Sequence, residues 1–515
     1  MRNTLKVCAL LAVVALLLNG CMLRRPEPES VNEISLPEPT EEARNMFLGE
    51  QLPPRAANVT LYFAQSDGAS FSAITRSIRV DPTENLLEAA VNALLARSLA
   101  GAAMPVSNSD VRLLSCEFAS GIATVNLSVD ARNVQSEQEL LSLEVAIGNT
   151  LLGINGVRGV NVLIGNQSES FCQLPFGLQT EVIGNITASY AQLQTERDHY
   201  LSDGASGISR KAALYFPTEG GSWLVPEIRQ ITFTGESLAK TLVDALKAGP
   251  LENNCGISAI PEGAELLDAN PDIRTLSTGE HILVLNFSST LANYLAFSGL
   301  EVWELVGSIA LTMCSFLPEV DAVRVMVNDE PINICEAGDI ILNFPNGLIR
   351  RRDFTSWIGT TATLYLANDD GALSPVDRAV SMRSALSPRS LLTELFYASE
   401  ASEDGLRFPA PPNVSPEDVL GIQMNGATLR LNLSGNFYRQ CQMLDSRQER
   451  SLVYSIVNTL CQLSTVRSVR FYIEGLAADT LAGGIYLKSA LMPNPGIIST
   501  PVPLATEAPL ATPEP

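Results

Sequence analysis

The residues able to do chemistry in this chain are few and poorly placed for it. His199 and His281 are its two histidines; the first lies in the polar stretch Thr195 to Tyr200, the second begins an apolar strand that ends at Asn286. A Ser-His-Asp or Cys-His arrangement needs a histidine held against a nucleophile, and neither flanking sequence carries such a signature. Gly220-Gly221-Ser222 lacks the strand-Gly-x-Ser-x-Gly-helix frame of a nucleophile elbow, so Ser222 reads as a loop residue. The carboxylates Glu117, Asp130, Glu262, Glu265 and Asp321 could pair as general acid and base, yet none recurs at matching positions along the chain. The expectation is a protein that is not an enzyme, with no catalytic residue and no cofactor.

Cysteines are the other reactive group. No Cys-x-x-Cys pair occurs, so no metal site is expected. Cys172 and Cys335 occupy equivalent places beyond a closing strand, and Cys314 and Cys461 equivalent places on a helix; Cys116, Cys255 and Cys441 complete the set. Disulfides such as Cys116 with Cys172 and Cys441 with Cys461 would suit an oxidising exterior. Small buried thiols are the alternative, and the one favoured, because equivalent cysteines do not pair up consistently.

What does recur is a set of markers in fixed order. Leu61-Tyr62-Phe63 returns as Leu214-Tyr215-Phe216 and Leu364-Tyr365-Leu366. Val125-Asn126-Leu127-Ser128 returns as Leu285-Asn286-Phe287-Ser288 and Leu431-Asn432-Leu433-Ser434. Each unit then closes on Val-x-x-Val, at Val157 and Val160, Val320 and Val323, and Val466 and Val469. Three ordered markers repeated three times imply a tandem array of domains of roughly 150 residues, each large enough to bury a core. The expected divisions are 56–205, 208–356 and 358–492. Asn126, Asn286 and Asn432 stand between apolar strand residues and so should face away from the core, toward solvent or a sheet edge. Tyr62, Tyr215 and Tyr365 sit mid-strand and read as core.

The elements that would position these residues follow from pattern. In the first unit, Val59 to Phe63 and Ala73 to Val80 read as strands, and Asp81-Pro82-Thr83-Glu84 as a helix start with Asp81 as N-cap. Leu86, Leu87, Ala90, Val91, Leu94 and Leu95 then form one apolar helical face. Val111 to Phe118 and Ile122 to Leu127 are strands about the turn Ser120-Gly121. A second helix covers Glu137 to Leu152, and Val157 to Ile164 ends the unit. Thr234 and Ser387 stand where Asp81 stands, and Pro388 repeats Pro82. The fold class is α+β: three tandem small domains, each a mixed β-sheet with two helices packed on one face.

The ends set the expected address. Arg2 and Lys6 precede an apolar run from Val7 to Leu18. That run is shorter than the roughly 20 residues a bilayer requires, so residues 1–20 read as a signal peptide. Leu18-Asn19-Gly20-Cys21 resembles a bacterial lipobox in which Cys21 is lipidated; an ordinary secretory signal is the alternative. Residues 21–55, rich in Pro and Glu, suit an extended tether, and 493–515 a disordered Pro/Thr/Ala tail. With 34 basic against 56 acidic side chains, the net charge of −22 argues against nucleic acid.

The order of Leu-Tyr-Phe strand, helix, Leu246-Lys247-Ala248-Gly249-Pro250, Ile260-Pro261-Glu262-Gly263, Asn-Leu-Ser strand, helix and Val-x-x-Val strand resembles the GerMN domain of sporulation and spore-germination lipoproteins. The first copy departs at Gly101 and Met104-Pro105, and the third puts Phe408-Pro409-Ala410-Pro411-Pro412 in that loop. The resemblance implies a module similar to those that build rings in secretion and sporulation channels, without catalytic residues. The expected protein is a non-catalytic lipoprotein on the extracytoplasmic face of the cell membrane, binding or assembling with a cell-envelope protein or peptidoglycan, with a homo-oligomer possible. The alternative is a regulatory or sensory surface lipoprotein outside sporulation.

Overall fold

The computed structural model describes residues 48–65, 69–81, 84–96, 110–203, 207–234, 238–251, 256–399 and 405–499. The signal peptide, Cys21, most of the tether, Pro82, Thr83, Gly101, Met104, Pro105, Cys255 and residues 500–515 lie outside them.

After a short strand β1 (Gly49–Gln51), repeat 1 opens with the hairpin β2 (Arg55–Ala64) and β3 (Phe71–Val80). Leu61 and Phe63 point inward and are buried, as strand alternation requires, while Tyr62 is half-buried. Helix α1 (Leu86–Leu95) follows. Its N-cap is Asn85, not Asp81: the Asn85 side chain accepts from Glu88 N at 2.7 Å. A second capping residue four positions after Asp81 starts the helix later, and Glu84 N donates to Asp81 O. Next come β4 (Leu113–Ala119), β5 (Ile122–Leu127), helix α2 (Glu137–Leu152), β6 (Gly159–Ile164) and β7 (Gln167–Ser168), with a small hairpin of β8 (Ser170–Phe171) and β9 (Leu174–Pro175). Strand order is β4-β5-β6-β7. The central pair β5 and β6 is parallel, and that connection requires a crossover, which α2 supplies. Helix α3 (Ile186–Asp203), which contains the polar stretch Thr195 to Tyr200, packs Ile186 and Leu193 on the repeat 1 core and leads out.

Repeat 2 repeats the plan: hairpin β10 (Ile208–Pro217) and β11 (Leu224–Phe233), α4 (Leu238–Lys247), β12 (Ile273–Thr275), β13 (His281–Phe287), α5 (Thr290–Ser298), α6 (Val302–Phe316), β14 (Ala322–Val327) and β15 (Glu330–Pro331), then a hairpin β16 (Ile334–Ala337) and β17 (Ile340–Asn343). Repeat 3 has β18 (Gly359–Ala367), β19 (Leu373–Ser381), α7 (Pro388–Tyr397), β20 (Val419–Asn425), β21 (Thr428–Leu433), α8 (Gly435–Cys441), α9 (Ser446–Leu460), β22 (Ser468–Ile473) and β23 (Leu476–Ala477). Here the capping reading holds: the Ser387 side chain accepts from Ser390 N, with Pro388 in the first turn. The fold is α+β in three tandem copies, each a mixed sheet with two helices in common (α1 and α2, α4 and α6, α7 and α9), to which repeats 2 and 3 add the short α5 and α8.

Two segments differ from expectation. β1, within the stretch read as tether, pairs in parallel with β20 of repeat 3. Residues 495–499, within the stretch read as tail, dock on repeat 3: Ile497 is buried, and Ser499 N donates to Leu373 O at 2.7 Å.

Candidate functional site

The candidate chemical groups are dispersed among structural roles. His199 is exposed on α3, and the His281 N–H at the start of β13 donates to Asp321 Oδ2 at 2.8 Å. Ser222 is an exposed loop residue, and Glu262 and Glu265 are exposed. Asp130 accepts from Ser128 Oγ at 3.0 Å. Glu117 and Asp321 join repeats. Glu117 meets the buried Arg351 guanidinium in a two-pronged ion pair, while Gln167 of repeat 1 donates to Asp321 Oδ1 at 2.6 Å. Burial alone pushes Arg351 down, but the Glu117 carboxylate overrides it and holds the guanidinium above its ordinary value. Among the described residues no group of three or more His, Cys, Asp or Glu side chains could hold a metal ion.

The recurrent polar residues hold the fold in the same way each time. The backbone N–H of Tyr62, Tyr215 and Tyr365 donates to a buried threonine on the second helix, Thr150, Thr312 and Thr459, at 3.1 Å in every copy. That bond satisfies a strand N–H where the hairpin meets its helix. The asparagines clamp a turn. Asn126 accepts from Asn166 N at 2.9 Å, Asn286 from Asp329 N at 3.1 Å and Asn432 from Gly475 N at 2.8 Å. Each donor is the second residue of a two-residue turn (Gly165-Asn166, Asn328-Asp329, Glu474-Gly475) in which both residues have positive φ, the type I′ geometry of tight hairpins. Asn126 and Asn432 are thus buried and not turned to solvent, because the turn after the closing strand folds back over them. The second valine of each Val-x-x-Val exchanges two backbone hydrogen bonds with a later residue: Val160 with Gln179, Val323 with Ile349, Val469 with Leu491.

The remaining motifs are also structural. Gly249 of Leu246-Lys247-Ala248-Gly249-Pro250 has φ +78 just past α4, and its carbonyl accepts from Arg229 at 2.9 Å. At Gly263 a Cβ would lie 2.0 Å from the ring of the exposed Tyr294 on α5, so any other residue here requires that ring to move. The six described cysteines are all unpaired. Burial pushes the Cys314 thiol up to about 12 and those of Cys335 and Cys461 up to about 11. They are neutral and inert near pH 7.

What these contacts leave exposed is an apolar face on repeat 2. After the Asn-Leu-Ser strand, repeat 1 has only a 3-10 turn, Val129–Arg132, whereas repeat 2 inserts the longer α5. Leu295, Ala296 and Leu300 there, with Ile334, Cys335 and Gly338 of the β16–β17 hairpin, line an open groove of about 520 Å³. Phe297 on α5 is 88% exposed, and on the hairpin Ile334 is 59% and Ile341 66% exposed. Single exposed apolar residues are ordinary; here the two elements that line the groove also carry the exposed Phe297 and Ile341. The carboxylates of the groove wall are Glu301 and Glu336, and no basic residue lines it.

A family model described as "Germane: Sporulation and spore germination" matches residues 60–170, 213–333 and 363–479, more than half of the chain. The chain belongs to the Germane family. Each matched segment begins at the Leu-Tyr strand and ends beyond the Asn-clamped turn, short of the residues that pair with Val160, Val323 and Val469. Among solved structures the chain is similar to the tandem GerMN domains of the sporulation protein GerM from Bacillus subtilis, at 17% identity over 57% of this chain and 99% of that one, with a TM-score of 0.23. It is also similar to the first GerMN domain of the same protein, at 21% identity over 26% of this chain and 97% of that one, TM-score 0.20. No curated protein matches it.

The apolar face of the second Germane repeat escaped sequence reasoning. Nothing in the sequence around Ile334, Ile340, Ile341 or Phe297 distinguishes an exposed apolar side chain from a buried one. The one available signal was the length of apolar chain between Ser288 and Val302, which exceeds the corresponding stretch of repeat 1.

Proposed function

We propose that this Germane protein is a lipid-anchored, extracytoplasmic lipoprotein that works without catalysis, as a binding or assembly component of the cell envelope in sporulation or spore germination. The family supplies the sporulation context. The observation that carries the binding reading is the groove lined by Leu295, Leu300 and Ile334, on two elements that also carry the exposed Phe297 and Ile341. Such a face favours a protein partner over peptidoglycan, because the centre of a protein interface is apolar while a glycan is recognised through polar groups. The anchor reading is supported by the apolar run ending at Leu18-Asn19-Gly20-Cys21. Lipid attachment there would place the face outside the membrane, where envelope proteins are in reach.

Two substitutions test the two parts. Cys21→Ala should release the protein from the membrane fraction; normal processing and unchanged partition would remove the anchor. Phe297→Glu puts a charge on the apolar face without disturbing a buried contact. It should abolish co-purification of an envelope protein that the parent chain retains, and retention of the same partner at the parent level would remove the face from the account.

A further inference from the structure

Strand β1 is a second, separate feature of the surface. Gly49, Glu50 and Gln51 pair in parallel with Gly421, Ile422 and Gln423 on the outer edge of β20, and the Gln423 amide donates to Gln51 Oε1 at 3.1 Å. All three β1 residues are exposed, so the strand buries no apolar side chain. The equivalent edge strands of the other repeats, β4 and β12, carry no further strand among the described residues. Among the described residues repeats 1 and 2 build their sheets without a strand on that edge, and β1 is therefore not required to complete the sheet of repeat 3. It fills an edge that is competent to accept a strand, through main-chain hydrogen bonds alone.

The connector argues that the donor strand is exchangeable. Only Leu52, Pro53 and Pro54 separate β1 from β2. The two prolines fix φ and hold the chain extended, so β1 is projected away from its own hairpin and must find an edge elsewhere. Short, stiff hinges of this kind favour exchange of an identical element between copies.

We propose that β20 is a strand-acceptor edge, filled within one chain by β1 and available to β1 of a second copy, giving strand-exchanged assemblies. The proposal names a contact for the assembly reading above and rests on it. The net charge of −22 opposes approach of two copies, so exchange should increase with ionic strength as that repulsion is screened.

The test uses the full-length chain in detergent at raised salt. A tagged Gln51→Cys chain is mixed with an untagged Gln423→Cys chain and oxidised, beside a mixture in which Met424→Cys replaces Gln423→Cys; the Met424 side chain lies on the opposite face of the strand. A disulfide-linked heterodimer in the first mixture and its loss in the second is the result expected. Absence of the heterodimer, or equal heterodimer with Met424→Cys, overturns the proposal, whether or not a Gln51→Cys/Gln423→Cys chain closes on itself. Self-association without the in-register link would leave assembly standing and remove this contact from it.

Discussion

Arg351 and Glu117, 234 positions apart, meet in a two-pronged ion pair that fastens repeat 1 to the segment leading out of repeat 2. Arg351 also donates from Nε to Ser315 Oγ of α6 at 3.0 Å, and Asn161 of repeat 1 donates to Ser315 O at 3.0 Å. Close by, Ser120 N donates to Thr360 Oγ1 of repeat 3 at 2.9 Å. Repeat 1 is thus tied to repeat 2 through Glu117 and Asn161 and to repeat 3 through Ser120.

Glu117→Ala should leave that cation buried and unpaired, at a cost of about 3–5 kcal/mol. Calorimetry of the full chain should show the first repeat melting earlier and apart from the second. Glu117→Ala combined with Arg351→Met, which removes the charge as well, should recover most of the loss. A single variant that melts like the parent would show that the pair does not couple the repeats.

Thr312→Val deletes the acceptor of the Tyr215 N–H without changing side-chain volume. The orphaned N–H should cost about 1–3 kcal/mol and raise amide exchange in residues 208–217, read by mass spectrometry. Thr312→Ser, which keeps the hydroxyl, should cost only about 1 kcal/mol for the lost methyl. Exchange in Thr312→Val no faster than in Thr312→Ser would contradict a role for the hydroxyl.

Glu144 lies within α2, fully enclosed, and Oε1 has no hydrogen-bond partner. Burial pushes its carboxyl well above 4.5, the nearby Glu169 charge adds to this, and Arg132 opposes it. The folded state therefore binds the proton more tightly than the unfolded chain, and stability falls as pH rises above about 4.5 toward the folded value. Glu144→Gln should melt higher than the parent at pH 8 and show a shallower fall between pH 5 and pH 8. Parallel pH profiles for the two proteins would contradict this.

The repeats were legible because three markers recur in the same order. Asn126 recurs in type because its side chain accepts a main-chain bond in every copy, whereas the recurrent bonds of Tyr62 and Val160 run through their own backbone and do not select a side chain. Their partners were not legible. The clamped turn fixes dihedrals, not identities, so Gly165-Asn166, Asn328-Asp329 and Glu474-Gly475 share no sequence pattern. Asp81 resembled an N-cap because Asp-Pro-Thr-Glu satisfies the local rule, but Asn85 satisfies it too and lies nearer the apolar face. The Glu117–Arg351 pair was hidden among 56 acidic side chains, any of which could have been solvated. β1 has three exposed residues and hence no periodicity to read. The apolar face of repeat 2 alternates like buried strand, and only the missing neighbours distinguish it.

Site-specific photo-crosslinking in living cells tests the central claim most directly. A photoreactive phenylalanine analogue at Phe297, on the proposed face, is compared with the same analogue at Tyr397, which is 68% exposed on repeat 3. The account predicts one discrete adduct with an envelope protein from position 297 during sporulation or germination, lost when Ile341→Glu is added, and no such adduct from position 397. Absence of an adduct at 297, or an identical adduct at both positions, would contradict a binding function for this face.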